Sequence, residues 1–265
     1  MTERLKKVVL RALMTGFAVF LAGTSGAAAA VASACPDDSV ASGTVCIDKY
    51  EASVWYVPPE QKALINKIQQ GKVTLADLTG AGAVQLGLTG GDLAANGCPV
   101  NGNGCVNVYA VSIPGVIPAG FITYFQAAAA ARNALKRLPT NQEWQAAALG
   151  TPDGAPCNVG PGGDVANTGG AAGCVSDVGA FDMVGNLWER VADWRDFATS
   201  CFTQSETFGG DLSCLGGSGG NSAMIRGGFF GAFELGGGTH AGVFAVRANV
   251  TPDFAPFGIG FRCAR

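Results

Sequence analysis

The sequence of 265 residues is poor in charge and holds a single histidine, and each shortage excludes a class of function. Only 14% of its residues are charged. Without a Lys/Arg run or a basic stripe, nothing favours binding to nucleic acid. The single histidine, His240, lies in the glycine run GGGTHAG with no acid beside it. This excludes metal sites built from several histidines, leaves a catalytic triad without an orienting group and favours a loop-packing or solvent-facing role.

Glycine-rich phosphate-binding motifs that follow a strand and open a helix are also missing, so nucleotide binding has no support. Glycine itself is abundant, at 40 of 265 residues, about twice its average usage. With 48% hydrophobic residues, the chain can bury a sizeable core. This composition predicts an ordered, loop-rich globular protein.

The N-terminus has the pattern of a secretory signal peptide. Four basic residues precede an apolar stretch, and the small-residue tract after it ends in Ala32-Ser33-Ala34. We predict cleavage after Ala34, with no stable membrane span afterwards, and export to the periplasm, the cell surface or the extracellular space. A membrane anchor and lipidation at Cys35 are the less favoured alternatives. From totals of 17 basic and 20 acidic residues, cleavage removes four and one, which leaves a net charge of −6.

Nine cysteines follow the predicted cleavage site. In an exported chain this number predicts disulfides. Three local pairs each bracket a loop: Cys98–Cys105, Cys157–Cys174 and Cys201–Cys214. Of the remaining Cys35, Cys46 and Cys263, only two can pair with each other, and spacing does not choose between them.

Two helices have clear start signals. Thr123 with Gln126, and Thr140 with Glu143, form capping boxes before alanine-rich stretches. The strands are predicted to be short: 45–55, 223–230, 241–248 and 258–264. We interpret residues 57–105 as a surface insertion. Residues 35–265 are thus predicted to form one α+β domain with two helices, short antiparallel strands and long loops.

The stretch FDMVGNLWERVADW, residues 181–194, mixes acids, a glycine and an amide with large apolar residues. A tight loop that surrounds a hard cation with oxygen ligands would use Asp182, Asn186 and Glu189 in this way. The alternative is a turn followed by a strand, in which Asn186 satisfies the turn backbone and Trp188 is buried.

Five segments resemble the formylglycine-generating enzyme family, also called the sulfatase-modifying-factor domain. They are CIDKYEAS (46–53), KRLPTNQEWQAAALG (136–150), GNLWERVADW (185–194), IRGGFF (225–230) and GIGFRCAR (258–265). The resemblance implies a variant of the C-type-lectin-like fold in which the N- and C-terminal strands are close together. It therefore makes Cys46–Cys263 the preferred fourth disulfide and leaves Cys35 unpaired.

The resemblance also implies structural calcium. One family site matches the loop at Asp182, Val184, Gly185, Asn186 and Glu189, and a second matches Asn158 and Val159. The family's copper site has no counterpart. Active members bind copper through two cysteines five positions apart, which would fall near Glu234 and Thr239 here, yet no cysteine lies between Cys214 and Cys263. Cu(I) requires soft thiolate ligands, so we expect no copper.

These observations favour a non-catalytic binding protein. Seven of the fifteen phenylalanines fall within the last 41 residues. Phe244 and Phe261 fit core strands. The others lie among Gly, Ala and Pro and are predicted to form a ligand-binding face: Phe229, Phe230, Phe233, Phe254 and Phe257.

The predicted partner is a protein or surface ligand of undefined identity. The C-terminal segment from RGGFF onward is similar to the variable region of proteins diversified by retroelements, which implies display of mutable side chains on a fixed scaffold. The alternative is an enzyme of the same family with a non-standard active site.

Overall fold

The longest element is the ten-residue strand Trp188–Phe197, which directly follows the loop at 181–187. The computed structural model describes residues 34–160, 163–231 and 240–265. Within these ranges the strands are β1 Ser39–Ser42, β2 Val45–Asp48, β3 Ser53–Tyr56, β4 Val84–Leu86, β5 Val108–Val111, β6 Trp188–Phe197, β7 Ser200–Thr203, β8 Leu212–Gly216, β9 Gly219–Arg226, β10 Val246–Arg247 and β11 Ile259–Phe261. The α-helices are α1 Lys62–Gln69, α2 Leu75–Gly80, α3 Asp92–Ala95, α4 Tyr124–Asn133 and α5 Asn141–Ala148.

The strands form three sheets. A six-stranded sheet has the order β11-β6-β9-β10-β8-β7, a three-stranded sheet the order β4-β3-β5, and β1 and β2 form a hairpin. Most pairs are antiparallel, as predicted, but β11 runs parallel to β6 and β10 runs parallel to β8. The α+β class is confirmed. The described residues contain five α-helices rather than the two that were predicted.

Both predicted helix starts are correct. Thr123 caps α4 and Thr140 caps α5, and in each case the Thr hydroxyl accepts from the backbone N–H three residues on while that residue's side chain accepts from the cap. Trp144 on α5 is fully buried against the six-stranded sheet. These caps fix the two helices that flank the site described below.

The interpretation of residues 57–105 as a surface insertion was wrong. α1 buries Leu64 and Ile68 one turn apart, and Leu78 and Leu93 are buried from α2 and α3. The strand β4 pairs with β3, so this segment completes the three-stranded sheet. Because its helices are only four to eight residues long, each supplies too few buried positions for a visible period.

The hairpin of β1 and β2 meets the C-terminal residues, as the family resemblance implied. Ile47 in β2 bridges to Ala264, and Asp48 N donates to Cys263 O at 2.8 Å. The buried Lys136 ammonium contacts the carboxylates of Asp38 and Asp48, each at 2.6 Å. This ion pair ties the hairpin to the segment between α4 and α5.

Three predicted disulfides are present: Cys98–Cys105, Cys157–Cys174 and Cys201–Cys214. The fourth prediction, Cys46–Cys263, was wrong. Cys46 bonds to Cys35, and Cys263 is a buried free thiol. The register explains the difference, because Cys46 lies opposite Arg265 while Cys263 lies opposite Asp48.

The four disulfides indicate an oxidising compartment. Among the described residues, no helix has both the length and the apolar character needed to cross a membrane. The predicted signal peptide, apart from Ala34, lies outside the described residues.

Candidate functional site

The loop before β6 packs its polar side chains inward. Asp182 and Asn186 both adopt a left-handed backbone conformation, with φ of 56° and 55°. Asn and Asp tolerate this region better than other non-glycine residues, because their short side chains hydrogen-bond locally. The resulting turn buries both side chains and then feeds Trp188 and Glu189 into the sheet.

A buried ion-pair centre lies beneath this loop, and we define it as Glu51, Asp182, Glu189 and Arg262. Arg262 Nε and Nη2 donate to the two carboxylate oxygens of Glu189 at 2.7 and 2.6 Å. Trp144 Nε1 donates to Glu189 as well, at 2.7 Å. Arg262 also donates to the carbonyls of Asp48 and Phe181. Arg262 is thus paired with a buried carboxylate, that of Glu189.

Asn186 links the two segments that were predicted to bind calcium. Its Nδ2 donates to Glu51, and its Oδ1 accepts from Asn158 Nδ2 at 3.0 Å and from Ala166 N at 2.8 Å. The backbone of Asn186 donates to Asn158 O at 2.9 Å. The structure therefore brings Asn158 and Asn186 into direct contact, although they are 28 residues apart.

Charge within the ion-pair centre is unbalanced, because three carboxylates share one guanidinium. Burial raises the pKa of Glu51 well above its ordinary value, and the nearby Asp182 and Glu189 raise it further. Burial likewise raises the pKa of Asp182 to about 6. A raised pKa means that the folded state favours the neutral acid.

Glu189 accepts three hydrogen bonds from Arg262 and Trp144, which occupy most of the roughly four acceptor sites of a carboxylate. Within residues 34–160, 163–231 and 240–265, no three His, Cys, Asp or Glu side chains form a group that could hold a metal ion. The calcium site at 182–189, with Asn158 and Val159, stays a prediction.

A second feature is an aromatic cleft at the C-terminal face, with a volume of about 310 Å³. It is lined by Trp188, Phe229, Arg247, Asn249, Val250, Phe254, Pro256, Phe257, Gly258 and Ile259. The Arg247 guanidinium lies 5.6 Å from the Trp188 ring centroid, and Arg247 Nε donates to Asn249 Oδ1 at 3.0 Å. The cleft thus has mostly apolar walls and one cationic group, the Arg247 guanidinium.

The predicted binding phenylalanines divide into two groups. Phe254 and Phe257 are 55% and 53% exposed. Phe229 is half-buried, and Phe230 is only 5% exposed and packs against the rings of Phe229 and Phe257. The prediction that Phe230 lies on an exposed surface was therefore wrong. Phe233 lies outside the described residues.

Phe261 is fully buried, as predicted for a core residue. The matching prediction for Phe244 holds only in part, because this ring is half-buried and packs edge-on against the exposed Phe208.

The loop that carries Phe254 and Phe257 has a fixed backbone. Arg190, fully buried, donates to the carbonyls of Ile122 and Phe254. Trp188 N donates to Gly258 O at 3.0 Å, and Tyr124 N and Phe121 N donate to the carbonyls of Pro252 and Pro256. The backbone of this loop is held through its carbonyls. The Phe257 ring also contacts the rings of Phe121 and Phe230, and Phe254 and Phe257 both remain more than half exposed.

Arg226, in the RGG segment, is buried and stacks over Trp144 at 4.9 Å. The described hydrogen-bond acceptors of Arg226 are the carbonyl of Val243 and the side chain of Gln145. Burial lowers the pKa of Arg226 to about 10.

The two positions where copper-binding cysteines would fall, Glu234 and Thr239, lie outside the described residues. The sequence has Glu and Thr at these positions, and neither side chain is a thiolate. The free Cys263 is a poor substitute. Burial raises its pKa well above the ordinary value, and the neighbouring Asp48 carboxylate raises it further, so its reactive thiolate form is suppressed.

The domain family described as sulfatase-modifying factor enzyme 1-like matches residues 65–265, which is more than half of the chain. The chain belongs to this family. The predicted fold, a sulfatase-modifying-factor variant of the C-type-lectin-like fold, is thereby confirmed. The match begins inside the segment taken for an insertion, in agreement with its place in the core.

Several solved structures are similar to this member of the sulfatase-modifying-factor family. The Major Tropism Determinant M1 Variant is 20% identical over 54% of this chain and 37% of its own, with a TM-score of 0.39. CarF is 17% identical over 83% of this chain and 85% of its own, with a TM-score of 0.39. PvdO from Pseudomonas aeruginosa is 18% identical over 56% of this chain and 62% of its own, with a TM-score of 0.31. This chain therefore spans just over a third of the Major Tropism Determinant. No curated protein matches it.

Sequence reasoning missed part of the cleft. Trp188 was taken only as an apolar anchor, and Arg247, Asn249 and Pro256 were not singled out, yet all four line the cavity. An available signal was the polar pair Arg247 and Asn249, two residues apart in a strand pattern that is otherwise apolar. Arg247 ends β10 and Asn249 lies two residues beyond it, and the hydrogen bond between their side chains places both at the cleft.

Proposed function

We propose that this chain is an exported, non-catalytic binding protein that recognises its ligand through the aromatic cleft and the loop beside it. One observation carries the proposal: two large aromatic side chains are more than half exposed on a loop whose backbone is held by a buried arginine. A surface fixed before binding loses little conformational freedom on association.

The composition of the cleft supports recognition. Aromatic residues and arginine are enriched at the energetic centres of binding interfaces, because they contribute large contact areas together with directed polar contacts. Trp188, Phe229 and Phe257 supply the apolar walls here, and Arg247 supplies the cationic group. A cavity of about 310 Å³ is large enough for a bulky side chain or a small aromatic molecule.

The binding proposal is tested with 8-anilinonaphthalene-1-sulfonate, a fluorescent probe that pairs aromatic rings with an anionic group. The folded full chain should bind it, and Phe254→Ser and Phe257→Ser should each weaken this binding. Phe202→Ser is the matched control, because Phe202 is 60% exposed on β7, away from the cleft. Equal binding by all three variants and the parent would contradict the proposal.

The alternative, an enzyme with a non-standard site, is tested separately. Copper and a cysteine-containing sulfatase peptide are supplied under air, and formation of the aldehyde is followed by mass spectrometry. The proposal predicts no turnover above the peptide alone. Any copper-dependent turnover would show that the chain has another way to activate oxygen.

A narrower version of the proposal is that the exposed aromatic residues are among positions varied by a retroelement. It is supported by the similarity of the C-terminal segment to such variable regions. The sequence of the DNA that flanks the gene tests it. A reverse transcriptase gene and a near-copy of the 3′ coding sequence are expected, and their absence would remove this form while leaving the binding proposal in place.

A further inference from the structure

Two aspartates outside both the ion-pair centre and the aromatic cleft lie close together, the exposed Asp153 and the buried Asp211. A β-carbon placed on Gly209 would lie 2.0 Å from Asp153 Oδ2 and 3.1 Å from Asp211 Oδ1, so these two oxygens are at most about 5.1 Å apart. Gly209 has a φ of +69° in the turn before β8. The absence of a side chain there leaves room for the two carboxylates to approach each other.

Asp211 has an unused acceptor. It is fully buried, and its Oδ2 accepts from Phe244 N at 2.7 Å. Its Oδ1 has no hydrogen-bond partner among the described residues. Asp211 takes part in none of the ion pairs that join described residues. A buried carboxylate oxygen without a partner is costly, because desolvation is not repaid by any contact.

Protein groups offset the charge of Asp211 only in part. Burial and the Asp153 carboxylate together raise the pKa of Asp211 to about 7, although the backbone N–H groups of Phe244 and Ala245 and the Arg226 guanidinium act to lower it. Arg226 itself donates to Val243 O and to Gln145. Arg226 therefore acts on Asp211 only through its charge, and its described hydrogen bonds go to other groups.

We propose that Asp153 and Asp211 bind a hard divalent cation of the calcium type. Oxygens that bind one Ca²⁺ lie about 2.3–2.6 Å from it, so two of them are at most about 5.2 Å apart. The upper limit set by Gly209 meets this condition. Asp153 is exposed and gives the ion a path from solvent, whereas Asp211 holds it from behind.

Such an ion would join three segments. Asp153 lies in the loop after α5, Asp211 directly precedes β8, and Asp211 Oδ2 accepts from the backbone N–H of Phe244. With one exposed ligand and one buried ligand, the affinity should resemble that of weak extracellular calcium modules, with a Kd of about 10⁻⁴–10⁻³ M.

The test is a calorimetric titration of the chelator-treated full chain with calcium chloride, together with its melting temperature. Asp153→Asn should weaken binding at this site by at least about ten-fold, because ligand charge sets calcium affinity, and Asp211→Asn should do the same. Asp153→Asn is the deciding variant, since an exposed substitution leaves the fold intact. Glu60→Gln, at an exposed acid away from the pair, is the control.

Three results would overturn the proposal. The first is that Asp153→Asn binds calcium as tightly as the parent does. The second is that only Asp182→Asn loses calcium binding, which would place the ion in the loop before β6. The third is that the parent shows neither binding heat nor a melting shift up to about 10 mM calcium, well above the range of weak modules. A parent that binds two ions and an Asp153→Asn variant that binds one would support it.

Discussion

The loop before β6 and the loop before β11 are both irregular and both rigid, but they face their side chains in opposite directions. In the first, Asp182 and Asn186 point inward and Glu189 follows as the partner of Arg262. In the second, the backbone carbonyls point inward, and Phe254 and Phe257 point to solvent. A loop fixed by its side chains has none left for a ligand, whereas a loop fixed by its carbonyls keeps them available.

The largest effect is expected at the ion-pair centre. Arg262→Ala leaves Glu189 buried without its cation, and breaking such a pair costs about 3–5 kcal/mol. Urea denaturation measures the loss, with Arg132→Ala on the exposed face of α4 as the control. A loss under about 1 kcal/mol, typical of surface changes, would mean that the centre does not anchor the loop.

Glu189→Gln separates the ion pair from the calcium prediction. If the role of Glu189 is to pair with Arg262, the variant should lose the same stability with and without a chelator. A calcium site in this loop would behave differently. Calcium at 100 times its dissociation constant adds about 2.7 kcal/mol to the free energy of unfolding of the parent. A chelator would remove this contribution and no other. A chelator-dependent loss in Glu189→Gln would thus contradict the ion-pair role.

Phe230 is the buried member of the predicted binding phenylalanines, and truncating it should behave differently from truncating an exposed one. It is 5% exposed and packs against two neighbouring rings, those of Phe229 and Phe257, so Phe230→Ala should cost about 3–5 kcal/mol, as for other buried phenylalanines. Phe202→Ala, at 60% exposure, serves as the matched change. Equal melting of the two variants would show that Phe230 belongs to the surface after all.

The smallest effect is expected at the partly exposed pair of Arg137 and Glu143. The hydrogen bond from Arg137 lowers the pKa of Glu143 to about 2. The contribution of this pair to the free energy of unfolding is therefore fully present above the unfolded pKa of about 4.3, and it is lost as the pH falls towards about 2. Exposed pairs contribute under about 1 kcal/mol, and Glu143→Gln should remove that acid-sensitive part in denaturation curves between these pH values. An unchanged pH dependence would argue against it.

Local signals in the sequence were enough for some of the structure. The capping boxes at Thr123 and Thr140 each join residues three apart. The three correctly predicted disulfides join cysteines 7, 17 and 13 residues apart, each across a single loop. The pairing of Cys46 depended on strand register at the chain ends, and a shift of two positions placed Asp48 rather than Cys46 opposite Cys263.

The candidate site was predicted in part. An exposed and a buried phenylalanine look alike in a Gly- and Pro-rich stretch, so Phe230 could not be told from Phe254. Nor could a carboxylate that binds a metal be told from one that binds an arginine. The difference for Glu189 lies in Arg262, which is 73 residues away.

The central claim is that the exposed aromatic residues serve a ligand and not the fold. Urea denaturation of the double variant Phe254→Ser/Phe257→Ser tests it most directly. The account predicts a free energy of unfolding within about 1 kcal/mol of the parent, as for other surface changes. A loss of about 3–5 kcal/mol, the cost of truncating a core phenylalanine, would contradict it.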